Sequence, residues 1–150
     1  MSHVRQQIRE YFETQLRSLA TTGTNVFASR VYPIGSASLP ALLIYTQNEV
    51  IDDSSFGTIS ARRTQNRTLT VVVEGYVRAT AGFDDTLDDI CKEVETEVLD
   101  DPSLGGLVTN TELASADADY SGEGDQPVGT IRLTFEVQYR TLTGQPENAI

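Results

Sequence analysis

The residue types that most often carry chemistry are few in this chain, and their placement does not suit it. Triads and general acid–base work need a positioned imidazole, and the only histidine, His3, stands in the opening residues, where an ordinary exposed side chain is expected. The single cysteine, Cys91, can form neither an intramolecular disulfide nor a Cys-x-x-Cys pair, and it falls on an apolar helical stripe as a small core residue. Carboxylates are abundant. Asp84 with Asp88, and Asp85 with Asp89, stand one helical turn apart, but they face solvent opposite the apolar stripe, where the raised pKa that acid catalysis needs is hard to obtain.

Asp117, Asp119, Ser121 and Gly122 copy the opening of a calcium loop, D-x-D-x-S-G. The position that should carry a bidentate Glu is Val128, and the flanks read as strands where the motif needs helices, so a polar hairpin loop is expected. Gly122–Glu123–Gly124 and Gly105–Gly106 are turn glycines without the strand-to-helix context of a phosphate cradle. Asn66–Arg67–Thr68 matches a glycosylation sequon, but no secretion signal gives the match meaning. These readings leave no catalytic residue, no cofactor site and no metal site, and the chain is not expected to be an enzyme.

The elements that must position any functional surface are clearer. Ile131, Leu133, Phe135, Val137 and Tyr139 alternate strictly with polar residues, which predicts a strand with one buried face. The stretch Leu69 to Val77 is apolar at consecutive positions around Val71, Val72 and Val73 and should lie mid-sheet, covered on both faces. LPALLIY, Leu39 to Tyr45, is another strand. From Phe83 to Leu99, Leu87, Ile90, Cys91, Val94 and Val98 recur at helical spacing, with Asp84 or Asp85 as the expected cap and Pro102 ending the run. An N-terminal helix from about Val4 to Leu19, capped by Ser2, presents Val4, Ile8, Phe12, Leu16 and Leu19 on one side. Weaker strands are expected at Val26 to Tyr32 and around Leu107 to Tyr120. The predicted fold class is α+β: a mainly antiparallel twisted sheet, two packed helices and a long protruding loop or hairpin.

The length of 150 residues fits one domain, with residues 143–150 expected as a flexible tail and Ile51 to Ser60 and Ser121 to Val128 as loose loops. No cationic segment leads into a long apolar core, and no apolar run approaches the roughly 20 residues that span a bilayer. A soluble protein with no membrane partner and no classical secretion signal is expected. Acidic residues number 22 against 11 basic ones, for a net charge of −11, which disfavours a surface that binds nucleic acid by neutralising phosphates. Ten of the cations are arginine, suited to planar pairing at subunit interfaces, and the pI near 4.3 resembles that of proteins from salt-loving hosts.

One stretch exceeds what a simple connection requires. Between two strong strands, Thr46 to Gln65 is polar and far longer than an ordinary hairpin loop, a length that is commonly functional. Glu49, Asp52 and Asp53 on its outgoing limb face Arg62, Arg63 and Arg67 on the return, available to each other or to a neighbouring copy. These six residues are the candidate assembly interface.

The order of N-terminal helix, strand ending in Val31–Tyr32–Pro33, LPALLIYT strand, long polar excursion, RTLTVVVEGYVRA strand, acidic helix, variable region and final GTIRLTFEVQYRT strand resembles the tail terminator proteins of long-tailed viruses of bacteria and archaea. The resemblance covers about Val4 to Leu142. It implies a hexameric ring that caps the tail tube, stops its polymerisation and joins the tail to the head. The implied partners are further copies of the chain, the tail tube protein and a head–tail connector or neck protein. DNA would pass through the lumen without sequence-specific binding. The implied place is the head-proximal end of the virion tail, assembled in the host cytoplasm. Other expected readings are another ring component of the same assembly and, further off, a small-ligand-binding α+β module.

Self-repulsion among the acids from Asp84 to Asp101 and from Asp117 to Asp125 opposes the compact state, and added ions screen it within about 3 Å at 1 M. The melting midpoint is therefore expected to rise between low and molar potassium chloride. A midpoint that stays level or falls removes the halophile expectation.

Overall fold

The computed structural model describes residues 2–28, 40–52, 63–78, 82–121 and 128–150. Two helices, α1 (Val4–Leu16) and α2 (Phe83–Leu99), pack on one face of a five-stranded sheet formed by β1 (Val26–Phe27), β2 (Ala41–Asp52), β3 (Thr64–Arg78), β4 (Asn110–Ser121) and β5 (Val128–Leu142). The strand order is β1-β2-β3-β5-β4, antiparallel throughout except where β1 runs parallel to β2. The apolar run around Val72 thus occupies the middle of the sheet, as its double-sided hydrophobicity requires. No helix among the described residues is long and apolar enough to cross a membrane.

The core lies between the helices and the sheet. Leu42 and Ile44 of β2, Leu69, Val71 and Val73 of β3, and the alternating β5 residues from Ile131 to Tyr139 meet Ile8, Phe12, Ile90 and Val94 of the helices. Phe12 packs edge-on against Phe135, with centroids 5.6 Å apart. Close helix–sheet approach depends on Gly75, because a Cβ there would stand 2.8 Å from Ile90 Cγ2 and 3.0 Å from Ile131 Cγ2. On the opposite face a smaller cluster of Leu43, Tyr45 and Val72 gathers Phe27 and Tyr76.

Several local expectations are corrected. Helix α1 stops at Leu16, short of Leu19, because the chain turns to bring Thr21 onto α2, where its N–H donates to Glu93 Oε1 at 2.9 Å. Leu19 is buried all the same. The cap is His3, whose Nδ1 accepts from the Arg5 N–H at 3.1 Å, while Ser2 is recruited through its carbonyl by Gln7. Helix α2 has the expected bounds, but its N-cap is Gly82 at φ +80°, and Asp84 and Asp85 fall in the first turn, where the helix dipole favours them. The strand expected over Val26 to Tyr32 forms only at Val26–Phe27; residues 29–39 lie outside the described residues.

Residues 143–150 are tied down rather than forming a free tail. The Thr143 N–H donates to the Arg63 carbonyl at 2.8 Å and the Ile150 N–H to the Arg140 carbonyl at 2.9 Å. The Pro146 carbonyl accepts from the Val4 N–H at 2.8 Å, supplying an acceptor to the first turn of α1, where helical donors have none of their own. Of the two loops expected to be loose, Ile51 and Asp52 belong to β2 and Val128 to β5, while residues 53–60 and 122–127 lie outside the described residues.

Candidate assembly surface

The two described ends of the stretch expected as a polar excursion are strand, and residues 53–62 lie outside the described residues. β2 continues to Asp52 and β3 begins at Thr64, so the two limbs form an antiparallel arm paired as far as Asp52↔Asn66. The pairing slips once. Thr46 opposes Val71 and Glu49 opposes Leu69, so three steps on β2 match two on β3 and β2 carries one extra residue. A one-residue bulge reverses which side chains face the core. Leu42 and Ile44 point toward the helices before it; after it, Glu49 and Ile51 do.

That reversal carries Glu49 to Arg67. The Arg67 Nη1 donates to Glu49 Oε1 at 2.8 Å, its Nε to Thr141 Oγ1 at 3.1 Å and its Nη2 to Gln65 Oε1 at 3.1 Å. The Tyr139 hydroxyl donates to the other Glu49 oxygen, and its own pKa is pushed up by burial and by that carboxylate. Both charged side chains are buried, at 9% and 4% exposure. Of the six candidate interface residues, then, Glu49 and Arg67 are brought together within one chain and are not presented to a neighbour. The reason is the low-dielectric site under the arm, where each charge needs the other. Asp52 is exposed on the arm, and Arg63 is exposed just before β3 begins. Asp53 and Arg62 lie outside the described residues. On the face away from the helices the arm borders a recess of about 460 Å³ lined by Val50, Asp52, Asn66, Thr68, Gln138 and Arg140, among others.

A second buried carboxylate, Glu74, sits on that same helix-free face near the other end of the sheet. It accepts from the Tyr45 hydroxyl at 2.5 Å, from the Tyr76 hydroxyl and from Arg132 Nε at 3.1 Å. Burial alone would push its carboxyl up. The bonds from Tyr45 and Tyr76 and the charge of Arg132 outweigh that and hold it below the ordinary value. Sequence reasoning passed over Glu74; the available signal was a lone carboxylate inside the apolar run Val71 to Val77, followed by Gly75 and Tyr76.

The remaining candidates behave as structural residues. Asp117 and Asp119 lie on exposed β4 on the helix-free side, Asp117 opposite Arg132, and Gly122 lies outside the described residues. No group of side chains able to hold a metal ion occurs among the described residues. Cys91 is half-buried and donates to Glu95 Oε2 at 3.3 Å; burial, then that carboxylate, push its thiol up to about 11, which keeps it protonated at neutral pH.

No family model matches the chain, and no curated protein matches it. Among solved structures, a chain of the virion of a native gene transfer agent particle is similar over 89% of this chain and 95% of its own, at 15% identity and a TM-score of 0.44.

Two predictions follow from the buried carboxylates. Replacing Arg67 by Ala leaves Glu49 without its buried counter-charge and is expected to lower unfolding stability by about 3–5 kcal/mol in urea titrations. The same change at exposed Arg63 should be worth at most about 1 kcal/mol. For Glu74 the folded-state pKa lies below the unfolded one near 4.5, so its stabilisation is present above that pH and is lost as the pH falls through the folded value. Glu74→Gln should therefore flatten the acid limb of the stability–pH curve below 4.5. An unchanged acid limb would assign the loss to other carboxylates.

Proposed function

We propose that this chain is a structural protein of a tailed virus or virus-like particle, in which copies close into a ring that caps the tail tube, ends its polymerisation and joins tail to head or neck. The observation that carries the reading is the arm. A strand pair that continues past the bulge, pinned at its root by the Glu49–Arg67 pair, ends in side chains that its own core does not cover: Val50 is 61% and Ile51 48% exposed. Exposed apolar side chains on a rigid projection suit contact with another subunit better than contact with water.

Termination on this reading is steric. A ring whose lower surface pairs with the last tube ring, and whose upper surface differs, offers nothing for the next tube subunit to bind. The acidic surface suits passage of DNA, which it repels. Asp52, Asp53, Arg62 and Arg63 supply polar contacts around the arm, while Glu49 and Arg67 hold its root.

Electron microscopy of the purified protein, alone and mixed with tails, tests this. Averaged end views of capped tails are expected to show a six-fold ring at the head-proximal end, and their absence overturns the proposal. Arg62→Glu with Arg63→Glu should retain native circular dichroism. A loss of about 1 kcal/mol per contact, repeated around the ring, should then leave tails of irregular length. Tails of normal, uniform length from a well-folded double variant would remove the arm's cations from the contact.

A further inference from the structure

We infer that the arm of one copy seats in a notch at the far end of the sheet of the next copy, formed by Phe83, Leu87, Ala118 and Tyr120. The inference rests on the ring reading above and names the two surfaces that would close it.

The notch is built by register. β4 has its own one-residue bulge: Leu113 opposes Phe135, whereas Ser115 opposes Thr134. This extra residue turns Ala118 and Tyr120 toward the helix side, beside the start of α2. The Tyr120 ring lies 5.5 Å from that of Phe83, yet Tyr120 remains 54% exposed, and a notch of about 280 Å³ opens between them with Leu87 at its floor. An aromatic pair open to water beside a buried leucine is the kind of site that an aliphatic side chain fills.

The arm is at the opposite end of the same sheet. Asp52, Asn66 and Arg140 pair across β2, β3 and β5 at one end; Arg78, Val128 and Ser121 do so across β3, β5 and β4 at the other. The exposed β-branched pair Val50 and Ile51 therefore cannot reach the notch of its own chain. Two complementary surfaces at opposite ends of one molecule give head-to-tail contacts, which close into rings when the rotation allows. Charge agrees with the pairing. Exposed Arg63 and Arg140 stand at the arm end, while exposed Asp84 and Asp119 rim the notch. Asp52 on the arm works against the match, and Asn66 separates it from Arg140 in the register. The occupant is accordingly a second copy of this chain.

Disulfide trapping decides it. In a Cys91→Ser background, which keeps a donor for Glu95, Val50→Cys and Tyr120→Cys variants are prepared separately at high concentration in molar potassium chloride. Mixing them under mild oxidation should give a covalent dimer that neither yields alone, and a chain carrying both cysteines should give a ladder ending at a closed ring. Arg140→Glu in the Val50→Cys partner should lower the yield about fivefold, and Asp119→Arg in the Tyr120→Cys partner should restore it. Rings visible by microscopy without this cross-link overturn the contact and leave the ring reading standing. Neither rings nor cross-link overturns both. A cross-linked ladder from a protein that does not cap tails keeps the contact and removes the tail role.

Discussion

The unbroken pairing of β3 with β5 is the constraint on which the other features depend. Fifteen consecutive residues of β3, from Thr64 opposite Leu142 to Arg78 opposite Val128, keep one register with no slip. Side chains on this pair therefore never change face, and both helices can settle on a continuous apolar surface from Val77 to Leu69. It also makes the arm part of the sheet. β3 reaches beyond the helix-covered core because β5 accompanies it, and β2 follows β3.

Irregularity is confined to the flanking strands, and there it is used. One extra residue in β2 turns a carboxylate inward onto Arg67; one extra residue in β4 turns Tyr120 toward Phe83. Each bulge thus converts an otherwise uniform strand into two segments of opposite phase, one serving the core and one serving a surface. The two buried carboxylates fit the same scheme. Glu49 sits under the arm on the helix side, satisfied by Tyr139 and Arg67, and Glu74 near the far end on the other side, satisfied by Tyr45, Tyr76 and Arg132, so both ends of the sheet are stiffened by charge-assisted bonds.

What was legible in the sequence was whatever has a period. The bounds of α2 followed from Leu87, Ile90, Val94 and Val98 with Pro102 beyond, and β5 from its strict alternation. The α+β class and the central place of β3 came with them. Phase changes were not legible, because Gln47 and Asn48 beside the β2 bulge are polar on either face and carry no signal of which way they point. Without that, Glu49 and Arg67 looked like surface charges. Tyr139 was read as one more apolar residue of the alternation, although its hydroxyl is what completes the Glu49 site. The cap of α1 and the anchoring of residues 143–150 depend on each other across the whole chain, and neither segment contains the information alone.

The central position of β3 also orders the birth of the fold. Its neighbour β2 precedes it, so the hairpin can form as soon as β3 has left the ribosome, but its other neighbour is made only after the whole of α2 and β4. Through that interval Val71 and Val73 lack β5, and until Leu99 is made they lack the α2 layer as well, so one backbone edge of the most apolar strand stays unpaired. A leading chain on the same message that has already made β5 can offer it to the bare edge of a trailing one. The strand that organises the finished subunit is thus the one most open to being paired by the wrong copy, through an exchange that reproduces the native register.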